Sequence, residues 1–278
     1  MARWIVKLEK ATSDEDRAKL LLVAWSLEGN EDFRIKLLDE IMTLDFSSRK
    51  QPGAHFLVPL LAHVLDTPNL PESLTGRAVD IISLYHIRQM VPALLTALER
   101  PPPMALAAAA SLAHLKEKKA TAPLIEKIKT CQVPADRIRF IQTLCAIKDP
   151  DSIPFLIEIL QWNTGTESPA NQIENTHILR ENQMAAETLG KLKAAAAVQP
   201  MIQILGSSKV RELQRAIVIA LGNIGPQAEP ALALLDKLAL EDADPDFRKL
   251  CKETAQKIRK SLPPPPPPPP DVPVTPAQ

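Results

Sequence analysis

Six prolines recur along the chain at nearly one interval: Pro59, Pro92, Pro123, Pro154, Pro200 and Pro230, with gaps of 33, 31, 31, 46 and 30 residues. Each opens an apolar stretch. Two positions on stands Leu61, Leu94, Ile125, Leu156, Ile202 or Leu232; five on stands Val64, Ala97, Ile128, Ile159, Leu205 or Leu235. Positions three apart share one face of a helix. Proline is tolerated in a helix's first turn, where its missing N–H had no intrahelical partner. The period therefore predicts a stack of short helical units. One such unit cannot bury its apolar face alone, so it does so against its neighbours and the array folds by repetition.

Composition agrees with helix and against strand. Hydrophobic residues make up 45% of the 278 positions, but aromatic residues only 4% and glycine only eight positions. A sandwich or barrel would want β-branched and aromatic residues and many glycine turns. Formal net charge is zero, whereas nucleic-acid binding draws its affinity from a Lys/Arg excess. No nucleic-acid partner is expected. Two local basic runs, Lys116 to Arg139 and Arg248 to Lys260, read as solvated helix faces, the second with cations suited to a helix C-terminus. Cys131, Cys145 and Cys251 are odd in number and far apart, which fits a reducing, cytoplasmic setting better than a disulfide framework or a zinc site. No uninterrupted apolar run reaches the length of a membrane span, so no membrane partner is expected.

Residues 1–54 lack the phased proline and read as a divergent helical pair that caps the stack. Ser13 is placed to cap a helix ending near Leu27, and a second helix is expected from about Asp32 to Phe46. The array then runs over 55–262. Each unit has a proline-led helix and a second helix rich in Ala and Leu, the second helices falling near 74–88, 104–117, 135–147, 178–192, 210–224 and 246–260. The long gap reflects a surplus near 162–177, WNTGTESPANQIENTH, which is polar and without a helical stripe; it is expected as an inserted loop. Residues 263–278 open with eight consecutive prolines and are expected as a disordered, extended polyproline II tail. That tail has two readings, a spacer or a ligand for a polyproline-binding module.

Three segments carry a resemblance: Ala185 to Leu192 (AAETLGKL), Ala220 to Gly225 (ALGNIG), and Lys148 to Leu156 (KDPDSIPFL). Together with the phased Pro-Leu motif, they resemble HEAT repeats of the short phycobilisome-lyase-like type, over about residues 55–260. The resemblance implies an all-α fold, a right-handed α-solenoid of about six to seven helical hairpins, whose second helices line a concave face. The pattern is loosest where His114 and Cys145 stand near the usual glycine.

The resemblance is specific for fold and unspecific for function, so the chemistry was read residue by residue. A deoxyhypusine-hydroxylase type would need His-Glu pairs for iron; His55, His63, His86, His114 and His177 are followed by Phe, Val, Ile, Leu and Ile. A DNA-glycosylase type would need a basic groove with aromatic residues. No phosphate-cradling glycine motif occurs. No catalytic residue, metal or cofactor is therefore expected, and the chain is expected not to be an enzyme. What remains is recognition surface on the second helices: Arg77, Asp80, Arg137, Arg180, Glu187, Gln214, Arg215 and Arg248. Arginine is enriched at interface hot spots; the competing reading is that these residues form Asp–Arg ladders between units. The sequence thus points to a non-enzymatic scaffold or adaptor that binds a protein partner on its concave face. The rival is a bilin-lyase-type or chaperone-like subunit acting with a second HEAT-repeat chain.

Overall fold

The computed structural model describes residues 2–11, 13–27, 29–43, 55–67, 70–162 and 172–263. Among these, every regular element is helical. The proline-rich tail from Pro264 and the centre of the inserted segment lie outside the described residues. The chain divides into two compact units, residues 1–188 and 189–278.

The first unit begins with α1 (Ala2–Lys10), α2 (Asp14–Leu27) and α3 (Glu31–Thr43). Three helices thus stand where the sequence indicated a pair. The extra one, α1, seats Leu8 in the core. Ser13 caps α2 as expected: its hydroxyl accepts the Asp16 N–H at 3.1 Å and donates to the Asp16 carboxylate at 2.7 Å, an arrangement that satisfies an otherwise orphaned donor.

Hairpins follow: α4 (Val58–Asp66) with α5 (Glu72–Leu84), α6 (Val91–Leu98) with α7 (Pro102–His114), α8 (Thr121–Thr130) with α9 (Pro134–Ile147), then α10 (Ile153–Leu160) and α11 (Gln172–Lys191). Within this unit α4, α6 and α8 stack as first helices, and α3, α5, α7 and α9 stack as second helices. α11 starts six residues before the 178 that the sequence suggested, so part of the expected loop is helix. Near its start Thr176 is exposed and His177 only half-buried. Once the packed part is fixed, each added helical residue gains a hydrogen bond without a new nucleus.

The second unit holds α12 (Val198–Ser207), α13 (Arg211–Ile224), α14 (Leu232–Glu241) and α15 (Pro245–Ser261), with α13 against α15. The run from Arg211 to Glu241 is apolar enough by composition to cross a bilayer. Here it forms two helices parted at Gly225, and Ile217, Leu221 and Leu235 are buried.

Every phased proline is preceded by, or lies in, a short 3-10 turn that leads into the first helix. The residue five after it is buried in all six units, but the residue two after is buried only at Leu61, Leu94 and Leu156. Ile125, Ile202 and Leu232 are half-buried, and Leu124, Met201 and Ala231 take their place in the core. The difference goes with the place of the proline: Pro59, Pro92 and Pro154 are second residues of their helices, whereas Pro123 and Pro200 are third and Pro230 lies in the preceding turn.

The joints between units share a feature that the sequence does not display. His86, Lys116, Lys148 and Lys193 all have positive φ, between 50° and 56°, and Gly225 has φ 82°. At three of them the next residue's N–H reaches back five residues to close the second helix: Ile87 to Ile82, Glu117 to Leu112 and Ala194 to Leu189, each at 3.0 Å. This is the left-handed closure that usually employs glycine.

Candidate functional site

The candidate surface in the first unit is the face shared by its second helices. Its arginines fall into two sets. Arg34 donates to the Trp25 carbonyl at 3.2 and 3.3 Å and lies over that ring. Arg77 reaches back from α5 to Asp39 of α3 at 2.5 Å. Arg137 of α9 grips Glu181 of α11 at 2.8 and 3.2 Å and lies over the Trp162 ring. Glu181 is wholly buried, and Asn182 beside it donates to the Trp162 carbonyl at 3.0 Å. These side chains tie one helix to the next.

Arg139 and Arg180 form the second set. Both are exposed, and neither has an acidic or carbonyl partner among the described residues. Asp80 and Glu187 are also exposed on this face, as is Leu84, 51% accessible. Between α7 and α9 the face dips into an open groove of about 580 Å³. Leu106, Ala110, Ala113 and Ala146 give it an apolar floor, with His114, Arg139 and Gln142 around them.

In the second unit the candidates are largely engaged within the fold. Arg215 donates to Asp244 at 2.9 Å, Arg248 to the Asp242 carbonyl at 2.6 Å, and Gln214 to the Ser208 carbonyl at 2.7 Å. Arg211 forms a two-nitrogen pair with Asp242 at 3.0 and 3.1 Å. Asp244 does two jobs. One oxygen takes Arg215; the other caps α15 by accepting the Asp246 and Phe247 N–H groups at 2.9 and 3.3 Å. The Arg215 hydrogen bond, with those backbone donors, holds the Asp244 carboxyl below the usual range. The eight residues expected as recognition surface thus separate: Arg77, Arg137, Gln214, Arg215 and Arg248 have internal partners, Glu187 is exposed, and Asp80 and Arg180 present themselves to solvent. Arg139, not among the eight, joins them; its only signal in the sequence is membership of the Lys116–Arg139 basic run.

Among the described residues no three His, Cys, Asp or Glu side chains gather as a metal site, and Cys131, Cys145 and Cys251 are free thiols. Burial raises the Cys251 thiol pKa to about 11, with Asp242 adding to the rise.

Comparison with known families places the architecture. Residues 180–255 match the family model for HEAT repeats, and residues 136–161 match that for the PBS lyase HEAT-like repeat. These are HEAT repeats. The matched stretches span α9 to α10 and most of α11 to α15, the same helices that carry the Arg137, Arg211 and Arg215 pairs. Among solved structures, the complex of CpcE and CpcF of phycocyanin lyase from Nostoc sp. PCC7120 is 24% identical, with a TM-score of 0.47, over 76% of this chain and 79% of that one. Human deoxyhypusine hydroxylase in complex with glycerol is 14% identical, with a TM-score of 0.40, over 93% and 96%. No curated protein matches the chain.

Proposed function

We propose that the chain is a non-enzymatic scaffold or adaptor of the cytoplasm, and that it recognises a protein partner on the face its second helices share. The observation that supports this reading most is the division of the arginines. Those that hold the repeats together have internal partners, whereas Arg139, beside the alanine floor between α7 and α9, and Arg180 on α11 stand exposed, as do Asp80 and Leu84 on α5. Exposed arginine beside apolar surface is what an interface anchor requires. The test is affinity capture with mass spectrometry, comparing the full chain with an Asp80→Lys/Arg180→Glu variant. The variant should lose the main partner at an unchanged melting temperature; a partner retained in full would overturn the reading.

A second reading rests on the match of residues 136–161 to the PBS lyase HEAT-like repeat: a bilin-lyase-type or chaperone-like subunit acting with a second HEAT-repeat chain. Co-expression with such a chain and a phycobiliprotein subunit would test it, the readout being covalent bilin. The proline-rich tail is proposed as a spacer. A peptide spanning Lys260 to Pro276 that competed with the partner would make it a second contact.

A further inference from the structure

The groove between α7 and α9 carries a more specific inference, which rests on the reading of the second-helix face as the partner surface. We infer that it holds an acidic, leucine-rich helical segment of the partner protein, with a carboxylate on Arg139 and aliphatic side chains on the alanine floor.

Three observations support this occupant. The first is shape. Ala110, Ala113 and Ala146 project only methyl groups, so the floor between α7 and α9 is low, and Leu106 supplies the one bulky side chain on it. Small residues let a foreign helix approach closely, and the apolar floor favours aliphatic contact. The second is charge. No carboxylate lines the groove; its ionised group is Arg139, exposed and unpaired among the described residues. Arg34, Arg77 and Arg137, by contrast, have partners within the fold. The complement of an unanswered guanidinium over an apolar floor is a carboxylate among aliphatic residues. The third is the contrast with the opposite side of the same hairpins. A larger groove of about 800 Å³ lies between α6 and α8, but Lys127 there already donates to the Arg100 carbonyl at 2.8 Å and Glu126 is paired with Lys129 at 3.7 Å. Lys127 and Glu126 are answered internally, and the charge left over in that groove is the exposed Glu99 carboxylate, the opposite of Arg139.

The test uses the full chain and a synthetic fluorescent peptide of about four helical turns, Leu on one face and Glu flanking it. A second peptide has every Glu replaced by Lys, and a third has every Leu replaced by Ser. The Glu–Leu peptide should bind and the other two at least tenfold more weakly. Arg139→Glu and Ala110→Glu, both at exposed positions, should each weaken it at least tenfold without moving the melting temperature. Equal binding of the Lys–Leu peptide, or binding untouched by Arg139→Glu, would overturn the inference. A photo-crosslinker at Ala110, at Arg180 and on the first-helix face at Ala122 separates the two levels of argument. Partner cross-links at Arg180 but not Ala110 would overturn the groove and leave the second-helix face standing. Cross-links at Ala122 alone would overturn both.

Discussion

Arg137 holds Glu181 through two nitrogens, at 2.8 and 3.2 Å, and the carboxylate it holds is wholly shut off from water. Arg137 itself keeps only 17% of its side-chain surface accessible. A residue type that the sequence offers as an interface anchor is here the counter-charge of a buried acid. Removing it takes away the guanidinium that faces that charge. Arg137→Met should therefore cost about 3–5 kcal/mol, read as a fall in the urea midpoint, and Arg137→Met/Glu181→Leu should recover much of it. A single Arg137→Met variant as stable as the parent would contradict this.

Gly190 of α11 faces the backbone of α13: a Cβ there would lie 2.9 Å from the Ala220 Cα and 3.1 Å from its carbonyl oxygen. Backbone cannot swing aside as a side chain can. Gly190→Ala should destabilise by roughly 1–3 kcal/mol. Gly206, on α12 with nothing within 4 Å, is the control, where alanine should be neutral or stabilise by about 0.5–1 kcal/mol. Thermal melts of the two variants should move in opposite directions.

Left-handed backbone costs a residue with a Cβ roughly 1–2 kcal/mol. Lys148→Gly and Lys193→Gly, at φ 56° and 51°, should therefore each raise stability by about 0.5–1 kcal/mol after the added freedom of the unfolded chain is subtracted. Gly225→Ala, at φ 82° and ψ −132°, should do the reverse. Chemical denaturation of the three variants checks both signs.

The Arg215–Asp244 pair should fade in acid. The folded state holds the Asp244 carboxyl below its ordinary 3.8, so its contribution is present above that value and disappears as the pH falls through the lower folded-state value. Arg215→Met should lower the melting temperature at neutral pH, and the gap to the parent should narrow as the pH falls below 3.8. The effect is modest, because both groups are partly solvated.

Cys251 should behave in the opposite sense at alkaline pH. Its folded pKa of about 11 exceeds the ordinary 9.0, so its contribution is intact below 9.0 and is lost as the pH climbs towards 11. Relative to Cys251→Ala, the parent should lose stability across that window. Iodoacetamide at pH 8 should label Cys251 only in the unfolded chain.

The repeat was legible because proline and its apolar followers report a local requirement, the first turn and inner face of each first helix. What the sequence hid are features decided by neighbours. Ile125 and Ile202 match the phased pattern but sit half out of the core, where Leu124 and Met201 beside them are buried instead. Arg137 and Arg139 are two residues apart in one basic run, yet one meets a buried glutamate 44 residues away and the other meets none among the described residues. Nothing in the run itself separates them; the distinction exists only once α9 and α11 are packed. The joints were hidden for a different reason. Glycine is the usual sign of a left-handed closure, and four of the five joints use lysine or histidine.

Those joints bear on how the chain meets a protease. Lys116 and Lys193 are exposed and each offers trypsin the residue type it cleaves after. Proteolytic clefts bind substrate as an extended strand, and a left-handed corner closed by its own backbone hydrogen bonds cannot lie down in one without first opening. Cleavage there must wait for local unfolding. The most basic corners of the folded array are therefore among its least scissile points, and an early tryptic cut at any of them would report an opened repeat.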